Sequence, residues 1–409
     1  MVRVVDVDSH VYEPEQIWAD YLPADVRARA RRAFSRDGST VILNGEALPE
    51  RPGINRLAVW RPGLSPDSIG RLDPAHPPDP NPGAWDPAAR LADMDALGVD
   101  EAVVLPTLFA ELLPAVEDAD AAVVLARAYN DWAVEFARGG DGRLHPTAIL
   151  ALQDPVEAAA EAARVAAQGI RGVTIRPMFQ RVAGHTPPRN PFGGDTNPVG
   201  VFVDDAVFEP VWSRVAELGL VACVHPALGL ANPEGTSAGP FLERVSAKLG
   251  IGHTVTEAVA YMQDVATFVV SICFRGLMED HPRLKLALLH GGASIVPLAI
   301  EKAETYLWLS PISVFSQAMP VSLEPEDVWR AHPSIVGFDG WESSAARLPE
   351  HFGTKGAWGS RYPHHDASTP AEALALLDAY GVPAEVAQRM MGANAADLFG
   401  LRSPTTVAG

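Results

Sequence analysis

The chain has 409 residues, 47% of them hydrophobic and 20% charged, which allows a large core and argues against disorder. A net charge of −19 at pH 7 makes the surface repel phosphate backbones and anionic lipid, which speaks against nucleic acid and membrane as partners. Two cysteines, Cys223 and Cys273, lie in apolar runs, so buried reduced thiols are expected rather than a disulfide framework. The opening MVRVVDVDSH has no apolar signal region, and no long uncharged apolar run follows, so the chain reads as cytoplasmic.

Short β-rich runs alternate with longer helical ones, the pattern of a parallel α/β architecture. Val2–Val7 predicts a first strand that ends in Asp8-Ser9-His10. Residues 35–85, rich in Pro, Gly and Asp, predict a long irregular insertion, either a lid over a site or a subunit contact. Asp86–Leu97 predicts a helix, with Pro87 in its first turn and Gly98 just past its end. Glu101–Pro106 is a second strand, and Ala121–Arg138 a helix with Asp120 as N-cap. Leu144–Leu152 is a third strand, Pro155–Gln168 a helix, Gly172–Arg176 a fourth strand and Pro177–Val203 a polar loop. Val207–Leu218 is a helix and Leu220–His225 a fifth strand; residues 254–280 are helical. Lys285–His290 is a sixth strand, Ile295–Leu309 a helix, Ser334–Phe338 a seventh strand and Gly356–Ser360 an eighth. Helices Pro370–Tyr380 and Pro383–Gly392 follow, and residues 403–409 form a flexible tail. Eight strands separated by helices suit a closed (β/α)8 TIM barrel of one domain, residues 1–402, better than an open sheet.

Polar residues stand where the strands end: Asp8 and His10 on the first, Arg176 on the fourth, His225 on the fifth, His290 on the sixth, and Arg361, His364, His365 and Asp366 beyond the eighth. In a barrel these ends converge on one mouth. Any one of them alone is explained by a cap or a hydrogen-bonded core histidine; five strands of eight ending this way point to a site. Asp8, His10 and His225 meet the ligand needs of a divalent metal such as Zn or Mn with open positions for water, and His290 suits a general acid/base. Arg176 suits a substrate carboxylate or a salt bridge to a loop acid. Trp60, Trp85, Trp341 and Trp358 suit either an aromatic-binding pocket or core packing. A small-molecule substrate is expected and no organic cofactor.

These segments together resemble the amidohydrolase-related family that contains α-amino-β-carboxymuconate-semialdehyde decarboxylase and benzoate decarboxylases. The resemblance rests on DVDSHVYEP, RLADMDALGVDEAVVLPT, GIRGVTIRP, the VHP at 224–226, HPRLKLALLHGGASIVP, and WGSRYPHHDA followed by NAADLFGL. It implies an amidohydrolase-type barrel with a long insertion after strand 1. It also implies metal ligands at Asp8, His10 and His225, a catalytic His290, and a homodimer; from their place at the mouth, Arg176, His364, His365 and Asp366 are the expected substrate contacts. The activity it implies is non-oxidative decarboxylation of a small carboxylated or cyclic acid, or hydrolysis.

One position departs from the family. Where it carries a metal-binding aspartate this chain has Arg361, which has no lone pair and repels a cation. Three readings follow. Asp8, His10 and His225 still hold a metal while Arg361 swings away to a substrate anion. Alternatively, Arg361 replaces the metal and pairs with Asp8, leaving a metal-free acid/base enzyme for dehydration, cyclisation or isomerisation in secondary metabolism. Or the chain is a non-catalytic ligand-binding pseudoenzyme. The second is placed first, because pairing would also neutralise a carboxylate that metal loss alone would strand.

Overall fold

A computed structural model describes residues 2–38, 40–48, 58–64, 79–185, 200–226, 254–309 and 321–401. Eight parallel strands carry the architecture: β1 Val5–His10, β2 Glu101–Leu105, β3 Leu144–Pro146 resumed at Ala148–Ile149, β4 Gly172–Ile175, β5 Val221–Val224, β6 Lys285–Leu288, β7 Ser334–Phe338 and β8 Gly356–Trp358. Each pairs in parallel with the next in chain order. The ring closes beyond β8, where the Arg361 N–H donates to the Asp8 carbonyl at 2.6 Å and the His10 N–H donates to the Tyr362 carbonyl at 2.6 Å. The approach is so close at Gly359 that a Cβ there would stand 2.4 Å from the Asp8 Cβ, so only glycine fits. This is the predicted (β/α)8 arrangement.

Strand alternation sends Val5, Val7, Val103, Leu105, Val221, Cys223, Ala287, Leu289, Ile335 and Ala357 into the barrel interior. Ala395, Ala396, Leu398 and Phe399 of the helix Asn394–Phe399 pack against them. A larger cluster lies between the strands and the outer helices. Both cysteines are buried and free, as expected.

The helices keep most of their predicted bounds. Pro87–Leu97 is capped by the Asp86 side chain and ends on Gly98 in the left-handed region at φ 73°. The helix predicted over Ala121–Arg138 starts two residues earlier, at Ala119: Asp118, not Asp120, accepts from the Ala121 N–H and is the cap. The insertion after β1 is also more regular than predicted. Phe34–Asp37, Thr40–Leu43 and Glu46–Ala47 form an antiparallel meander, and Asn44 and Gly45, both at positive φ, make the tight turn between its last two strands. In the predicted loop 177–203, Phe179–Gln180 pairs with Val201–Phe202. Residues 49–57, 65–78 and 186–199 of these two predicted loops, and the predicted tail 403–409, lie outside the described residues. Among the described residues no helix is long and apolar enough to cross a membrane.

Candidate active site

β1 carries a bulge that aims the site. Asp6 pairs with Ala102 and Ser9 with Val104, so Val7 and Asp8 together oppose the single residue Val103. Without the extra residue, the alternation that sends Val5 and Val7 inward would send Asp8 and His10 outward. Asp6 and Ser9 anchor the bulge from outside. The Asp6 carboxylate accepts from the Asp8 N–H at 3.1 Å and the Ser360 N–H at 2.9 Å. Burial pushes Asp6 up to about 6 against those hydrogen bonds. The buried Arg90 guanidinium donates to Gly83 O, Ser9 Oγ and His10 O, with its head 4.3 Å from the Tyr362 ring centre.

Asp8 is the hub of the mouth. His10 Nε2 stands 3.1 Å and His225 Nε2 3.5 Å from its Oδ1, and His290 Nδ1 stands 3.3 Å from its Oδ2. The His10 ring meets the His225 ring edge-on at 5.0 Å, and His225 stacks on His290 at 4.9 Å. Ligand atoms of Asp8, His225 and His290 all lie within 4.8 Å of one another, a spacing that can hold a metal ion. Burial works to raise Asp8, but His225 and hydrogen bonds from His10, His225 and His290 hold it well below the usual carboxylate range. Burial pushes His225 down to about 3 against the attraction of Asp8, and lowers His10 likewise.

The remaining predicted residues take distinct places. Arg176 lies on the far side of the His225 ring from Asp8. Its Nη1 meets His225 Nδ1 and donates to the Pro226 carbonyl at 2.6 Å, and its Nη2 donates to the Thr107 carbonyl at 3.4 Å. His364 stacks on His10 at 4.3 Å, and burial lowers it well below the usual histidine range. His365 adjoins it and is half-buried.

Arg361 does not pair with Asp8. Its Nη2 stands 3.2 Å from Asp339 Oδ2 and donates to the Asp366 carbonyl at 3.0 Å, while Nη1 lies 3.4 Å from Asp366 Oδ2. The physical reason is local: its left-handed φ of 63° and two nearer carboxylates draw the guanidinium aside. His290 is also left-handed, at φ 58°, so two residues of the mouth sit in a backbone region that costs non-glycine residues of order 1–3 kcal/mol each. Of the four predicted tryptophans, Trp60 and Trp358 are fully buried packing residues and Trp85 packs partly against the core. Trp341 alone reaches the site, with the Arg361 head 5.3 Å from its ring centre.

Several residues of the site escaped the sequence reading. Asp8, His290, Gly292, Asp339, Glu342 and Arg361 line one concavity that opens to solvent. Asp339 directly follows β7, so the strand-end rule used for the histidines would have found it. Glu342 accepts from the Ala293 N–H at 3.1 Å; burial and the Asp339 charge push it up to about 7, against Arg361 and His290. Its position three residues further along a loop gave no signal. Nor did Glu13, whose buried carboxylate accepts from the N–H groups of Thr107, Leu108 and Phe109 at the start of the helix Leu108–Leu112.

Known proteins resemble this chain along its length. The amidohydrolase family profile matches residues 6–401. A gamma-resorcylate decarboxylase from Rhizobium sp. (strain MTP-10005) is 28% identical over 208 residues, 50% of this chain and 55% of that protein. The chain thus spans about half the length of the curated relatives it matches. An amidohydrolase from Mycobacterium avium subsp. paratuberculosis K-10 has a TM-score of 0.74 at 23% identity, covering 99% of both chains. A dihydroxybenzoic acid decarboxylase from Polaromonas sp. JS666, with bound manganese and the inhibitor 2-nitroresorcinol, has a TM-score of 0.62 at 17% identity, covering 98% of both chains. At these identities the two structures establish a shared fold.

Proposed function

Since residues 6–401 match its profile, the chain belongs to the amidohydrolase family, and from that premise we propose that it is a metal-dependent, non-oxidative decarboxylase of a hydroxylated aromatic acid. The observation that carries this reading is the Asp8 carboxylate, buried and ringed by three imidazole nitrogens at 3.1–3.5 Å. The buried His225 Nε2 approaches Asp8 Oδ1 only to 3.5 Å, the longest of the three contacts. Burial lowers His10, His225 and His364, which disfavours their charged forms beside Asp8. A buried carboxylate so placed calls for a cation.

Asp8 and His225 are the core of the ligand set, with His10 as third ligand and His290 kept for the proton. This choice follows from the concavity, which His290 lines. A bound Mn or Zn ion would supply Lewis-acid polarisation of the substrate's oxygens. His290 Nδ1–H donates to Asp8 Oδ2, which leaves Nε2 to handle the proton. The bond between the ring carbon and the carboxylate carbon breaks, its electron pair stays on the ring carbon, and the His290 proton forms the new C–H bond as CO2 leaves. Arg361 borders the same space with a buried Nε that has no partner among the described residues, a donor available to a substrate anion. His364, His365 and Asp366 flank the mouth as substrate-positioning groups, and Arg176, behind His225, orients that ring.

The test is metal content by elemental analysis of protein purified without chelator, with CO2 release assayed on gamma-resorcylate and other hydroxybenzoates. About one metal per chain, with release abolished by chelator and restored by manganese, is the expected result. A second reading, metal-free acid/base chemistry at His290, is favoured by Arg361, which offers no lone pair where the family has a ligand. Wild type without metal, and metal gained on Arg361→Asp, would overturn the first reading in its favour.

A further inference from the structure

Arg361 stands within reach of two sets of carboxylates. Its backbone N–H donates to the Asp8 carbonyl at 2.6 Å, and its side chain lines the same concavity as Asp8. The guanidinium nevertheless turns the other way, to Asp339 Oδ2 at 3.2 Å and to the carbonyl and Oδ2 of Asp366 at 3.0 and 3.4 Å. Both partners are themselves held. The Trp341 N–H donates to Asp339 Oδ1 at 2.7 Å, which leaves Oδ2 for Arg361, and the Trp341 ring centre lies 5.3 Å from the guanidinium. Asp366 sits in a turn closed by the His364 N–H on the Arg361 carbonyl at 2.9 Å and the Ala367 N–H on the His364 carbonyl at 3.1 Å. Burial works to lower Arg361, but Asp366, Asp339, Asp8 and Glu342, in that order, hold it above its usual value. Asp8 is thus the next carboxylate to attract the guanidinium once the first two are removed.

We propose that Asp339 and Asp366 are positioning residues that park Arg361 away from Asp8 and so keep the Asp8 carboxylate open to a metal cation. A guanidinium in contact with Asp8 would neutralise it with a charge that offers no lone pair, and would repel a metal ion bound there. Parking removes both obstacles. Arg361 keeps its charge because two carboxylates share it, and Asp8 keeps a place for a cation. The consequence for the metal rests on the metal-dependent reading above; the parking of Arg361 does not.

The experiment has two arms, both on the full chain. The first is a crystal structure of metal-free Asp339→Asn/Asp366→Asn beside one of metal-free wild type. In wild type the guanidinium is expected between Asp339 and Asp366, and in the variant within hydrogen-bond distance of the Asp8 carboxylate. A guanidinium on Asp8 in wild type, or one that in the variant stays in place or turns to Glu342, overturns the proposal. In the second arm, manganese affinity is measured by chelator competition, starting from Asp339→Asn alone, which keeps the proposal testable if the first variant fails to fold. Asp339→Asn should bind about 10- to 100-fold more weakly than wild type, and Asp339→Asn/Arg361→Gln should bind as Arg361→Gln does. Lost packing around Asp339 would persist when Arg361 is also replaced, so a combined variant as weak as Asp339→Asn overturns the proposal. Wild-type affinity in Asp339→Asn overturns it too. Wild type that takes no manganese, with Arg361 parked and released as described, removes the metal from the proposed function and leaves the parking standing.

Discussion

The two ends of the barrel both bury charged and polar side chains, and they treat them differently. At the N-terminal end, Glu101 opens β2 and receives Arg3 Nε at 3.1 Å and His145 Nε2 at 2.8 Å. Lys355, just before β8, gives its ammonium to Trp329 O, His332 O and Ser334 Oγ. Each of these donors meets an acceptor. At the C-terminal end, three histidines crowd one carboxylate, and the Arg361 guanidinium is drawn off to Asp339 and Asp366. A polar residue at a strand end therefore says little by itself. Convergence on one incompletely compensated group separates a site from a structural clamp.

The same chemical change at the two ends should break that comparison apart. Asp8→Asn removes the hub: metal uptake should vanish and kcat/KM fall by about 10,000-fold or more, with the far-ultraviolet circular dichroism unchanged. His290→Asn should lose about 100- to 10,000-fold in kcat while keeping its metal, and metal lost together with activity would make His290 a ligand instead. Glu342→Gln should have a smaller effect, read as the loss of an inflection near pH 7 from the kcat/KM profile. Its folded pKa is raised from 4.5 to about 7, so the folded state holds that proton more tightly. This contribution to stability is full below about 4.5 and is lost as pH rises through about 7, so wild type and Glu342→Gln should diverge across that window in denaturant titrations. At the opposite end, Glu101→Gln should leave kcat/KM unchanged and lower unfolding stability by about 1–3 kcal/mol. An activity loss in Glu101→Gln at a temperature where it stays folded would dissolve the contrast between the ends.

The site was legible where it obeyed the strand-end rule. His225 directly follows β5, and His290 lies two residues past β6, so the topology alone delivers both to one rim. Glu13 and Glu342 obey no such rule. Each gains its role from a neighbour more than 45 residues away in sequence, Glu13 from Thr107 and Glu342 from Ala293. The meander at Phe34–Ala47 was missed although its Asn44-Gly45 turn is a local signal, because the surrounding prolines and glycines read as loop.

What the sequence determined by itself was periodic: alternation along each strand, the spacing of caps and turns, and the repeated pairing of strand with helix. From these follow eight strands, their order and the residues at their ends, since hydrophobic period and backbone preference act over a few residues. Which way Asp8 and His10 face was decided only by tertiary structure. Two residues of β1 against one of β2 reverse the alternation, and that count belongs to the pairing rather than to either strand. The partner of Arg361 was decided in the same way. Charge attraction falls with distance through space, and Asp339 and Asp366 lie nearer to the guanidinium than Asp8 does.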